Sequence, residues 1–249
     1  MITLQHTAAP AVPEHAVWAG AQVLLLGVLG GTVGLGPPGW LAGTAYGLAT
    51  WVLLAAAMVR AGVRSPGPAD RVTLARGVLV GAVAALVADR MGEDVPVGLL
   101  VVFAAVALSL DFVDGRVARR TGTASPMGAR FDMEVDAFLI LVLSVHVALS
   151  SGLWVLAIGL MRYVFVAVSW VAPWLRGELP PSFARKAVAA VQGVLLVVAA
   201  SGAVPFATVL VELALAALGW SFGRDVAGLW RTRDRVAAEA VVVKEYSHV

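Results

Sequence analysis

Eight stretches, each close to the roughly 20 apolar residues that a helix needs to cross a bilayer, dominate this chain of 249 residues and limit what it can fold into. Hydrocarbon offers no partner to a free backbone N–H or C=O, so such stretches must be helices that satisfy their own backbone. Their approximate limits are 16–35, 40–59, 72–88, 97–115, 131–150, 152–174, 187–203 and 206–222. Gly36-Pro37-Pro38-Gly39, Ser65-Pro66-Gly67-Pro68 and Pro180-Pro181 punctuate the breaks, all of them poor helix interiors. With 60% hydrophobic and 14% charged residues, the chain reads as an all-α, polytopic membrane protein. It has no cysteine, which removes disulfides, thiolate metal sites and cysteine nucleophiles.

Most of the 18 Lys and Arg residues fall at alternate connections between the apolar runs, so they do not mark a nucleic-acid surface. Arg60, Arg64 and Arg71 precede the third run, and Arg116, Arg119, Arg120 and Arg130 lie between the fourth and fifth. Arg176, Arg185 and Lys186 lie between the sixth and seventh, and Arg224, Arg231, Arg233 and Arg235 follow the eighth. The opposite connections carry only Arg90, among Asp89, Glu93 and Asp94. Basic loops stay in the cytoplasm, so this alternation predicts a multi-pass protein of the cell (inner or plasma) membrane with both termini cytoplasmic. The first run has no basic leader, so a cleaved secretory signal is not expected.

Ionisable residues divide the chain unevenly. A short tail, 1–15, leads into two helices without internal charge over 16–64, for which packing, dimerisation or lipid contact are the expected roles. Most of the charged groups, 24 of 34, lie within the six-helix stretch 66–230, and a polar tail, 231–249, is expected to be loosely ordered. Gly77 and Gly81 make a Gly-x3-Gly spacing of the kind that permits close helix approach.

Aspartate near a membrane core costs about 3 kcal/mol on insertion scales, so acids there need a partner or a task. Asp111 and Asp114 lie three apart at the end of the fourth run, and Asp132 and Asp136 lie four apart at the start of the fifth. On a helix both spacings place two carboxylates on one face, about 5–6 Å apart. The connection between the runs is short enough to bring the pairs together. Four such groups repel unless a divalent cation neutralises them, and an all-oxygen set suits Mg²⁺ or Mn²⁺ better than zinc. Gly115, Ala118 and Gly128 leave room beside the acids for a flat base or a diphosphate, and Arg119 adds a positive charge.

Written out, Asp111-x2-Asp114-Gly115-x2-Ala118-Arg119-x8-Gly128-x3-Asp132-x3-Asp136 resembles the signature of the CDP-alcohol phosphatidyltransferases. The resemblance implies a six-helix membrane core over 66–230, preceded here by two extra transmembrane helices. It implies that Asp111, Asp114, Asp132 and Asp136 hold two divalent metals and that Asp136 also acts as general base. It further implies that Gly115, Arg119 and Ser125 contact the CDP-lipid, with Ala118 and Gly128 in the same stretch. Upstream, Asp70-Arg71-Val72-Thr73-x2-Arg76 is similar to the family's Asn-x2-Thr-x2-Arg element that helps hold the nucleotide, with Asp70 in place of the usual Asn. A homodimer is implied as well.

The chemistry expected from this resemblance is displacement at phosphorus, in which CDP-diacylglycerol gives its phosphatidyl group to a small alcohol and CMP leaves. For the acceptor, Arg162 within the sixth run and Arg185 with Lys186 at the start of the seventh could form an anion pocket. That favours a phosphorylated polyol such as glycerol 3-phosphate or inositol phosphate. The competing reading pairs Arg162 with Glu212 and makes Arg185 and Lys186 positive-inside anchors. Two other classes are weighed: a metal-dependent membrane prenyltransferase, which would carry two separate Asp-rich motifs, and an ion-coupled transporter, which would hold its acids near the bilayer midplane.

Overall fold

The computed structural model describes residues 14–62, 67–91, 95–121, 125–177 and 182–246. Side chains 14, 15, 61, 114, 118, 119, 121 and 126, and those from 234 onward, are excepted. Among the described residues there are eight α-helices and no strand: α1 (Glu14–Val33), α2 (Pro37–Ala61), α3 (Pro68–Asp89), α4 (Val97–Thr121), α5 (Pro126–Ser151), α6 (Leu156–Val171), α7 (Phe183–Ala200) and α8 (Ala207–Tyr246). Each of the eight is long and apolar enough to cross a membrane, α6 together with the short turn Leu153–Val155 that leads into it. The chain divides into two compact units, Met1–Asp136 and Ala137–Val249.

In the first unit α3 is the central helix. It is 67% buried along its apolar span, against 17–18% for α1, α2 and α4, which pack around it. Two glycines explain how closely α1 and α2 approach. A Cβ on Gly81 would lie 2.5 Å from Gln22 Nε2 of α1, and Gly77 faces the Tyr46 hydroxyl of α2. The Gly-x3-Gly spacing is thus the seam that docks the two leading helices. The other end of α3 is tied to the same pair. Asp89 Oδ1 accepts the Gly36 N–H at 2.7 Å and the Gly39 N–H at 3.3 Å, serving N–H groups that the start of α2 leaves without helical partners. Arg90 bonds the Val33 carbonyl at 2.9 Å, so the sole cation of its connection staples the α1–α2 turn.

The second unit contains the rest of α5 and α6 to α8. Short 3₁₀ turns, Leu153–Val155 and Pro173–Arg176, bracket α6. A Cβ on Gly159 would lie 2.6 Å from Leu141 Cα, so α5 and α6 cross nearly backbone to backbone. Gln192 of α7 reaches the Ala214 carbonyl of α8 at 3.5 Å.

The C-terminal segment differs from the sequence expectation. Instead of a loose tail from about Thr232, α8 continues as one helix of 40 residues to Tyr246. The stretch from Arg235 to Glu245 has no glycine or proline, and although it holds four valines, seven of its eleven residues are Ala, Glu, Lys or Arg, so local propensity still allows helix where hydropathy has ended. At 1.5 Å per residue α8 is roughly 60 Å long, about twice the hydrocarbon thickness, so it extends well beyond the hydrocarbon.

Candidate active site

The site starts at the first turn of α3. Gly67 enters in extended conformation, Pro68 opens the helix, and the Asp70 carboxylate turns back so that Oδ2 accepts the Gly67 N–H at 2.8 Å. Asp70, Thr73 and Arg76 then follow at intervals of three along one face, and all are buried. Thr73 donates its hydroxyl to the Ala69 carbonyl at 3.3 Å.

Arg76 is 0% exposed, and its fork is met by carboxylates from two other helices. Nη1 donates to Asp111 Oδ1 of α4 and lies 3.3 Å from Asp136 Oδ1 of α5. Nη2 donates to Asp132 Oδ1 and, at 3.3 Å, to the Asp132 backbone carbonyl. One oxygen from each of Asp111, Asp132 and Asp136 lies within 4.8 Å of the others. The three acids remain 30–38% exposed, so the cluster is closed by Arg76 on one flank and open on the other.

This donor set fits a divalent ion. It is all oxygen, it carries three negative charges against one guanidinium, and its oxygens already converge on a positive group. Asp114, the fourth acid, lies on α4 one turn beyond Asp111, and its side chain is outside the described residues, as are those of Ala118 and Arg119. Gly115 is half-buried on α4.

Ser125 and Gly128 form the entry to α5. The Ser125 hydroxyl accepts the Gly128 N–H at 2.9 Å, the geometry of an N-cap. A Cβ on Gly128 would collide with Asp70 Oδ1 and come within 3.1 Å of Ser125 Oγ. The buried Asp70 carboxylate therefore lies between the first turns of α3 and α5, where two helix N-termini favour negative charge. An Asn could accept the Gly67 N–H equally well; the charge is what these two N-termini stabilise.

The expected acceptor residues all belong to the second unit. Arg162 is half-buried on α6. Ser182 caps α7, accepting the Arg185 N–H at 3.4 Å, and places Arg185 and Lys186 in its first turn. Arg185 Nη1 donates to Asp225 Oδ2 of α8 at 3.1 Å, while Lys186 is exposed. Asp225 was not among the residues singled out from sequence; its signal was an acid beside Arg224, just past the end of the last apolar run.

The structure thus gathers Arg76 with Asp111, Asp132 and Asp136, and Asp70 with Ser125 and Gly128. The resemblance implies that Arg76 helps hold the nucleotide; in the structure its guanidinium donates to Asp111 and Asp132. The family model for CDP-alcohol phosphatidyltransferases matches residues 68–222, from the first residue of α3 into α8 and more than half of the chain. No curated protein and no solved structure matches it significantly. The match selects the transferase reading over the prenyltransferase and the transporter. The chain belongs to the CDP-alcohol phosphatidyltransferase family, membrane phosphotransferases that move a substituted phosphoryl group from a CDP-alcohol to an acceptor alcohol.

Proposed function

We propose that this enzyme transfers the phosphatidyl group of CDP-diacylglycerol to a small phosphorylated polyol, such as glycerol 3-phosphate or inositol phosphate, with release of CMP. The observation that carries the reading is the convergence of Asp111, Asp132 and Asp136 around a buried cation, within the residues the family model covers. A bond forms between the acceptor oxygen and the phosphorus bearing diacylglycerol. The bond from that phosphorus to the CMP oxygen breaks, and the hydroxyl proton passes to Asp136. Asp111, Asp114, Asp132 and Asp136 would hold two Mg²⁺ or Mn²⁺ ions. When bound, these ions supply Lewis acidity at the diphosphate and neutralise the charge of departing CMP. Asp136 works as base by position, since its carboxylate is fixed beside Arg76 and open on the other side.

The CDP-lipid is assigned to Asp70, Thr73, Arg76, Gly115, Ala118, Arg119, Ser125 and Gly128, and the acceptor to Arg162, Arg185 and Lys186. Residues 66–230 form the catalytic core in this reading, the two leading helices are an addition to it, and the protein is a homodimer. The basic loops put the site and both termini on the cytoplasmic side of the cell membrane.

One observation favours a second reading of the acceptor. Arg185 already bonds Asp225, which suits a structural anchor and an unphosphorylated alcohol. The test is CMP release from CDP-diacylglycerol by purified protein in nanodiscs, with Mn²⁺ or with chelator, over a panel of alcohols. Turnover with phosphorylated polyols alone supports the proposal. Turnover only with unphosphorylated alcohols selects the second reading, and no CMP release with any acceptor overturns both.

A further inference from the structure

Arg76 is the group in the site whose charge makes it a rival of the metal. Its guanidinium is wholly buried, it is fixed on the most enclosed helix of the first unit, and it bonds Asp111 and Asp132 while lying 3.3 Å from Asp136. These are three of the four carboxylates assigned to metal. We propose that Arg76 is a positioning residue that acts as a resident counter-cation: it holds the acid cluster together, and it yields their oxygens when divalent ions bind, so that metal loading is an exchange of cations.

The proposal rests on the metal-holding reading above, and charge balance argues for it. Three carboxylates gathered within 4.8 Å repel one another, and on the buried side Arg76 relieves that repulsion. Four carboxylates and two divalent ions balance without any arginine. A guanidinium retained in contact would then be surplus positive charge beside both ions. An anionic diphosphate restores a use for it, and its planar fork suits phosphate oxygens as well as carboxylates. Arg76 would thus link the two binding events, with metal entry releasing the group that the lipid diphosphate then engages. A lysine would carry the same charge but, as a point charge, could not hold two helices in one bidentate arrangement.

The experiment is a Mn²⁺ titration of wild type, Arg76→Gln and Arg76→Lys in nanodiscs, read by the EPR signal of free Mn²⁺ and by thermal unfolding, with no substrate present. Removing the rival charge should tighten Mn²⁺ binding at least tenfold in Arg76→Gln and enlarge the rise in Tm that Mn²⁺ produces. Arg76→Lys should keep a Kd within about threefold of wild type while lowering Tm without metal. Should Arg76→Gln fold only when metal is supplied, it is purified with Mn²⁺ and back-titrated with chelator; it should then release the ion at higher chelator concentration than wild type. Equal or weaker binding by Arg76→Gln overturns the exchange and leaves the metal reading intact. Absence of Mn²⁺ binding by wild type and both variants overturns the exchange and the metal reading together.

Discussion

The carboxylate of Asp70 lies directly against the backbone of Gly128, so closely that no side chain can be added there. Asp70 cannot simply withdraw, because its other oxygen is bonded to the Gly67 N–H. In an ordinary first turn, Gly→Ala would favour α5 by roughly 0.5–1 kcal/mol. Here the collision should reverse the sign. Gly128→Ala is expected to destabilise by about 1–3 kcal/mol, the range for forced overpacking, and to lower CMP release by an order of magnitude or more. A double-mutant cycle with Asp70→Ala checks the cause. The second change should recover part of the stability lost by the first, whereas additive losses would show that the two residues do not meet.

Asp89 offers a change away from the chemistry. Its Oδ1 serves two N–H groups at the start of α2, and its Oδ2 lies 3.3 Å from Arg90 Nε. Asp89→Ala should cost about 2 kcal/mol, the loss of charge-assisted bonds to part-buried donors. Hydrogen exchange should quicken at residues 36–40, while CMP release stays within about twofold of wild type. Unchanged exchange there would mean that the carboxylate does not hold the turn.

Much of this arrangement was legible in the sequence because hydrocarbon thickness dictates helix length. Six of the eight apolar runs predicted helices whose ends agree with the structure to within about five residues; the fourth starts at Val97 as expected but continues six residues past its run, through its basic end, to Thr121. The two acid pairs were legible because spacing within a helix fixes a face. What depends on a neighbour from another helix was not. That Arg76 turns toward Asp111 and Asp132 is a meeting of residues 35 and 56 positions apart. Gly128 was read as room for a ligand, yet the atom against it belongs to Asp70. The Gly77 and Gly81 spacing was visible, but nothing local said that Gln22 would fill it. For α8 the error was physical: polarity was equated with looseness, although helix propensity does not require an apolar face.

Asp136 separates binding from turnover. Asn preserves the shape and one acceptor oxygen but cannot take the proton of an incoming alcohol. General base catalysis contributes about 10²–10⁴-fold, so Asp136→Asn should lose at least that much in kcat. Retention of CDP-diacylglycerol, measured by equilibrium binding in nanodiscs, should change little. Wild-type turnover in this variant would remove Asp136 as the base.

Arg185 distinguishes the two acceptor readings. Its guanidinium bonds Asp225, whose side chain is 15% exposed, so removing the arginine takes from a largely buried acid its bidentate-capable partner and leaves Arg224 3.8 Å away. If Arg185 also binds the acceptor's phosphate, Arg185→Gln should raise KM for a phosphorylated acceptor about tenfold or more, the loss of one charge-assisted contact of about 1.5–3 kcal/mol. KM for CDP-diacylglycerol should stay unchanged. A purely structural anchor predicts the opposite pattern, with a lower Tm and one common effect on both substrates. Asp225→Asn supplies the control. It frees Arg185 from a charged partner and should lower KM for the phosphorylated acceptor if the arginine reaches it, whereas an anchor would leave that constant where it was.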